Sequence, residues 1–243
     1  MSIKFIILIY ILIFSYSNSK IKGTFTPEKY YNSDGDLVFN YYLYTPEIIE
    51  EDKMKLIVYL HGGSGKPQTK EGDLSLLVND EGFPKYLKDG NITLSSYSII
   101  PQIPFGKSGW SDVKVEIINF IKYNIRRLNI DEKKVVLTGH SMGGKGVWDI
   151  ALYSSKTFYK IAPLSGNIKT TKENLDALKN LNIWAIVGSA DTIVDPNASI
   201  EFIEEILKIN ENAKITVLEN YGHFDVPKVY LDSNYNLIDW LLD

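Results

Sequence analysis

The 243-residue chain has no cysteine. That absence excludes a thiol nucleophile, a thiolate metal site and any disulfide, so the fold must hold through its core, which a chain of this length can build. Basic excess is lacking too: 26 Lys and Arg stand against 30 Asp and Glu, a formal net charge of -4. No cationic stripe suited to a phosphate backbone is present, and no nucleic-acid partner is expected. Neither a repeat nor a low-complexity linker divides the chain. Long apolar runs are scarce as well, and the one that exists, residues 5–14, follows Lys4 and leads into Ser17-Asn18-Ser19. It is far shorter than the roughly 20 apolar residues of a spanning helix and has the layout of a cleavable export signal, with cleavage expected after Ser19. The expectation is a secreted protein in which residues 20–243 form one domain, free of the membrane once the signal is removed.

Apolar runs rich in β-branched and aromatic residues at 37–44, 56–60, 97–100, 135–138, 158–164, 183–187 and 215–218 read as strands. Helical spacing occupies 112–128, 144–153, 172–179, 198–209 and a last stretch ending at Leu242. Strand alternating with helix implies an α/β fold: right-handed crossovers and a mostly parallel sheet of about 7–8 strands with helices on both faces. The first two runs, separated by Thr45-Pro46 and no helix, are expected to pair as an antiparallel edge. In such sheets ligands bind beyond the carboxyl ends of the strands, so the polar residues that follow each strand carry the functional information.

After the strand at 135–138 comes Gly139-His140-Ser141-Met142-Gly143-Gly144, and then a helical stretch. This is G-x-S-x-G in a strand-turn-helix setting, which places a serine hydroxyl on a tight turn at a helix N-terminus. Gly139 and Gly143 keep neighbouring backbone from clashing there, and the helix end offers a free N–H and a positive field to an oxyanion. Residues 139–145 also satisfy the spacing of a phosphate-binding loop, but Gly146 stands where that loop needs Ser or Thr for magnesium.

A serine hydroxyl needs a base within hydrogen-bond reach, and the chain has three histidines. His61 opens a glycine loop, and His140 is the neighbour of Ser141 with its side chain directed away. His223, just after the strand at 215–218, is left as the base. The third member should come between serine and histidine in the chain, to accept the imidazole N–H and fix its tautomer. The loop after the strand at 183–187 offers Asp191 and Asp195. Asp191 is favoured because it is nearer the strand end, whereas Asp195 precedes Pro196 and a helix start, where a carboxylate caps without chemistry.

The strand at 56–60 runs into His61-Gly62-Gly63-Ser64-Gly65, a turn whose backbone can approach a ligand closely. The amides of Gly63 and Met142 are the expected oxyanion donors. His140 and Trp110 are candidates to touch substrate, with Trp110 equally readable as a core residue. The interval 158–182 is too short for a lid domain, which suits short or soluble substrates.

With LIVYLHGGSG, IDEKKVVLTGHSMGGKGVWDIAL, IWAIVGSADTIV and YGHFD in order along it, the chain resembles the α/β-hydrolase superfamily over nearly all of its length after the signal. Ile130-Asp131, Gly146-Val147-Trp148 and the segment PQIPFGKSGW make it similar, more narrowly, to the secreted esterase group of polyhydroxybutyrate depolymerase-like and feruloyl esterase-like proteins and predicted peptidases. The resemblance implies hydrolysis of a small or polymer-linked ester through an acyl-enzyme, with no cofactor and no metal. A serine peptidase would use the same residues. A binding protein on the same scaffold usually loses one of the three, and this chain retains Ser141, His223 and Asp191.

Overall fold

Leu56, Val58 and Leu60 face one side of their strand and Ile57 and Tyr59 the other, and all are buried. A strand apolar on both faces needs cover on both. In the computed structural model, which describes residues 23–47 and 53–243, that cover is supplied by helices on either side of one eight-stranded sheet. The export signal expected over residues 1–19 lies outside the described residues. The strands are β1 (Thr24–Tyr31), β2 (Leu37–Thr45), β3 (Met54–Leu60), β4 (Tyr97–Pro101), β5 (Ile130–His140), β6 (Lys160–Leu164), β7 (Asn182–Gly188) and β8 (Ala213–Leu218). The helices are α1 (Phe83–Lys88), α2 (Lys114–Arg127), α3 (Met142–Ser154), α4 (Lys172–Leu178), α5 (Asn197–Ile206) and α6 (Leu237–Leu242).

Leu56, Val58, Leu60, Val135 and Leu137 pack against Ile117 and Phe120 of α2, Val147 and Trp148 of α3 and Phe202 of α5. On the other face, Ile57, Tyr59, Val136 and Ile186 meet Phe83 and Tyr86 of α1 and Leu237 and Leu241 of α6. Burying each such side chain stabilises by about 1.5–3 kcal/mol, so two filled faces replace what disulfides supply in domains too small to build such a core. Among the described residues no helix is long and apolar enough to cross a membrane.

The sheet order is β1-β2-β4-β3-β5-β6-β7-β8, parallel from β4 through β8. The expected antiparallel pairing of the runs at 37–44 and 56–60 is not found. β2 lies antiparallel to β1 on one side and to β4 on the other, while β3 sits inside, parallel to β4 and β5. Burial explains the correction: the continuous apolar run of β3 would waste a face at an edge, whereas β2 alternates buried with half-buried positions. β1 escaped the sequence reading because Thr24–Tyr31 shows little apolar alternation and carries Pro27, which an edge strand tolerates.

From β3 the chain crosses to β4 on one side and then to β5 on the other. The carboxyl ends of β3 and β5 flank this reversal of direction, where open α/β sheets bind ligands. Leu60 pairs with Gly139, so the glycine loop after β3 and the serine turn after β5 start side by side.

Candidate active site

Ser141 has φ 60° and ψ −119°, a left-side conformation that non-glycine residues rarely hold, and α3 begins at the next residue. Close packing maintains it. A Cβ on Gly143 would stand 1.8 Å from the Leu60 carbonyl oxygen, and one on Gly139 2.5 Å from the same atom. Only glycine fits at either position. The Ser141 amide donates to the Leu164 carbonyl at 2.9 Å, which anchors the turn to β6.

The Ser141 hydroxyl donates to His223 Nε2 at 2.8 Å, and His223 Nδ1 donates to Asp191 Oδ2 at 2.8 Å. The three side chains thus form one hydrogen-bonded line contributed by the loops after β5, β7 and β8. His223 and Asp191 side chains are 4% and 1% exposed, so their interaction is little screened by water. The other oxygen of Asp191, Oδ1, accepts the amides of Ile193 and Val194, each at 2.9 Å. Burial pushes the Asp191 carboxyl up, but the Val194 amide, the His223 ring and the Ile193 amide together hold it below the usual range. Asp195 is exposed and accepts the Asn197 amide at the start of α5. The structure therefore brings Asp191, and not Asp195, to the histidine.

The other two histidines have separate work. His140 Nε2 donates to the His223 carbonyl at 2.9 Å, with the two rings 4.7 Å apart, and so steadies the loop that carries His223. Burial, then the adjacent His223, lowers its pKa to about 4, leaving the ring neutral. His61 accepts the Ile103 amide on Nε2 at 3.0 Å and donates from Nδ1 to the Gly62 carbonyl at 2.6 Å. Burial lowers its pKa to about 4 as well. Trp110 is 1% exposed, lies against Gly146 and donates from its indole to the His61 carbonyl at 3.1 Å. Of its two readings the core one holds: Trp110 supports the glycine loop from behind and does not line the cavity.

Gly63 begins a 3-10 turn (Gly63–Gly65), and a Cβ on the preceding Gly62 would lie 3.5 Å from the Ser141 Cβ. Among the described residues the amides of Gly63 and Met142 have no hydrogen-bond acceptor. Two free donors thus adjoin the serine, one of them at the positive end of the thirteen-residue α3.

Ser141, His140 and His223 open into a cavity of about 580 Å³. Leu76 and Leu77 of a 3-10 turn (Leu74–Val78), which adjoins the glycine loop, and Pro84 of α1 form one wall, and Ile193 and Phe224 flank the mouth. Both flanking side chains are prominent on the surface, 59% and 74% exposed. Asp80 and Glu81 supply an acidic margin, with Glu81 paired to Lys85. The sequence reading missed this wall, having assigned no element between the glycine loop and β4. The signals were there: Asp73 caps the turn, accepting the Ser75 amide, and Pro84 occupies the first turn of α1 behind Gly82. Among the described residues no cluster of His, Asp or Glu is arranged to hold a metal.

A parallel sheet with a left-side serine turn after β5, and with its hydrogen-bonded partners on later loops, is the α/β-hydrolase fold. Comparison with known proteins narrows this. The chain belongs to the BD-FAE family, whose model matches residues 42–194. No curated protein matches it. Among solved structures, a thermostable esterase superposes with a TM-score of 0.71 at 21% identity, over 89% of this chain and 62% of that one. The present chain thus spans less than two thirds of that esterase's length. A feruloyl esterase module from Clostridium thermocellum gives 0.65 at 15% identity over 88% and 87% of the two chains. The S-formylglutathione hydrolase of Staphylococcus aureus gives 0.65 at 15% identity over 91% and 97%. At these identities the likeness is one of fold.

Proposed function

We propose that this protein is an exported serine hydrolase that cleaves carboxylic esters through an acyl-enzyme. The observation that carries the reading is the unbroken line Asp191, His223, Ser141, with 2.8 Å at both joints, ending at a 580 Å³ cavity. Ser141 Oγ attacks the ester carbonyl carbon while His223 Nε2 takes its proton. The amides of Gly63 and Met142 receive the oxyanion, each contributing about 3 kcal/mol of transition-state stabilisation. Collapse breaks the bond to the alcohol, which leaves with the proton from Nε2. Water, deprotonated by His223, then attacks the acyl-serine and releases the acid. Asp191 keeps the Nδ1–H tautomer and stabilises the imidazolium in both steps. The esterases among the similar folds and the apolar cavity walls support an ester substrate, small or polymer-linked. Export rests on the leader-like residues 1–19.

The test is a panel of p-nitrophenyl, feruloyl and acetyl-sugar esters beside a p-nitroanilide amide, run on wild type and Ser141→Ala, with fluorophosphonate labelling mapped by mass spectrometry. Ester turnover and label at Ser141, both absent from Ser141→Ala, are expected. A folded wild type that takes no label at Ser141 would make the protein a scaffold for binding instead, and turnover confined to the amide would make it a peptidase.

A further inference from the structure

The segment that leaves β4, Pro101-Gln102-Ile103-Pro104, touches neither Ser141 nor its partners, yet it holds a buried carboxamide whose two N–H groups and oxygen are all engaged. Gln102 is 2% exposed. Its Nε2 donates to the Gly65 carbonyl at 2.9 Å and to the Asp73 carbonyl at 2.7 Å, and its Oε1 accepts the Asp73 amide at 2.8 Å. Gly65 closes the 3-10 turn that presents the Gly63 amide, and its own amide donates to the Gly62 carbonyl at 3.3 Å. Asp73 caps the turn that carries Leu76 and Leu77 into the cavity wall. One side chain therefore ties the end of β4 to both the oxyanion loop and the adjoining wall. The next residue adds to the tie, since the Ile103 amide donates to His61 Nε2 at 3.0 Å. These demands call for a carboxamide: two carbonyls require two N–H donors and one amide requires an acceptor, a set that a carboxylate, lacking donors, and an aliphatic chain leave unmet.

We propose that Gln102 is a positioning residue for the ester hydrolysis described above. It sets where the Gly63 amide meets the oxyanion and where the Leu76–Leu77 wall meets the substrate. The proposal rests on the esterase reading of Ser141. Its chemical content is that losing the carboxamide weakens the transition state more than the ground state, because a small displacement of an oxyanion donor acts mainly there.

The experiment compares wild type, Gln102→Met, and Asn210→Leu as a control, each assayed at the same interval below its own Tm. Asn210 is a buried amide far from the site that likewise holds two carbonyls, those of Leu178 and Leu181. For Gln102→Met, kcat for p-nitrophenyl butyrate should fall about 10- to 100-fold with a smaller rise in KM. Affinity for a trifluoromethyl ketone, whose adduct carries the oxyanion, should fall by the same factor as kcat/KM, while butyrate as a competitive inhibitor changes little. Asn210→Leu should lose Tm and keep kcat. If Gln102→Met does not fold, Gly72→Ala presses on the same carboxamide and on Asn40, since its Cβ, on a backbone with φ 76°, would stand 2.8 Å from Gln102 Oε1 and 2.7 Å from Asn40 Nδ2, and should give a smaller change of the same kind. A kcat within twofold of wild type in the folded variant, or equal losses of kcat in Asn210→Leu, overturns the proposal. A wild type without fluorophosphonate label at Ser141 overturns the esterase reading instead.

Discussion

Replacing Asp191 by Asn keeps shape and volume but forces a choice on the amide. Two loop N–H groups, of Ile193 and Val194, point at one carboxylate oxygen, and one ring N–H points at the other. An asparagine has a single acceptor oxygen. Turned toward the loop, it satisfies two donors at 2.9 Å each and presents its NH2 to His223; turned toward the ring, it sets its NH2 against both loop amides. A donor left facing a donor inside the protein costs about 1–3 kcal/mol, so the first orientation wins by the margin of one such clash. His223 Nδ1 must then accept, its proton moves to Nε2, and Nε2 can no longer take the proton of Ser141. Loss of the working tautomer should lower kcat/KM by about 10³- to 10⁴-fold, or roughly 4–5.5 kcal/mol of activation free energy. Stability should fall by only about 1–2 kcal/mol, because the pocket stays filled and the loop bonds stay made. The assay is steady-state turnover of p-nitrophenyl butyrate, with thermal melts to confirm folding and Asp195→Asn alongside. Asp195 is exposed and its one contact is the Asn197 amide, so that variant should stay within twofold of wild type. An Asp191→Asn enzyme retaining more than a tenth of wild-type kcat/KM, or an equal loss in Asp195→Asn, would refute the reasoning.

Ser141→Gly should abolish turnover while raising Tm by a few degrees, since glycine accepts φ 60° without the roughly 1 kcal/mol or more of strain that serine carries there; an unchanged or lower Tm would mean that the turn is not strained. His61 and His140 are held neutral, with pKa lowered to about 4 by burial. The unfolded chain binds those protons near pH 6.5 and the folded chain does not, so stability should decrease as pH falls from about 6.5 toward 4, by at most about 3 kcal/mol for each ring. Melting curves across that window check it, and His140→Gln should flatten part of the slope. Phe224→Ala removes an exposed ring beside the mouth, and KM for aryl and butyryl esters should rise about 3- to 10-fold with kcat nearly unchanged; a fall in kcat alone would place Phe224 in the chemistry rather than in binding.

Much of the candidate site was legible in the sequence. A serine between glycines at a strand-to-helix turn is a local pattern, and its strained dihedral follows from the few residues on either side. With three histidines in the chain, elimination led to His223, and chain order led to the loop holding Asp191 and Asp195. Between those two carboxylates the sequence favoured Asp191 by its place nearer the strand end, and the tertiary structure, through the path of the loop toward β8, sets Asp191 against the ring and leaves Asp195 at the start of α5. Trp110 stood open between pocket and core, since its amphipathic side chain fits either. The packing against Gly146 and the bond to the His61 carbonyl decided for the core.

The amino-acid sequence by itself determined most of the strands and helices from β2 onward, their alternation and the serine turn. All of these depend on neighbours within about a dozen residues, where periodicity, turn chemistry and capping operate. Only the tertiary structure decided that β3 lies inside the sheet while β1 and β2 form its antiparallel edge, and that the turn at Leu74–Val78 and α1 wall the cavity. Strand order is a competition among distant segments for cover on both faces, and its outcome is set by the burial of the whole sheet rather than by any one stretch of chain.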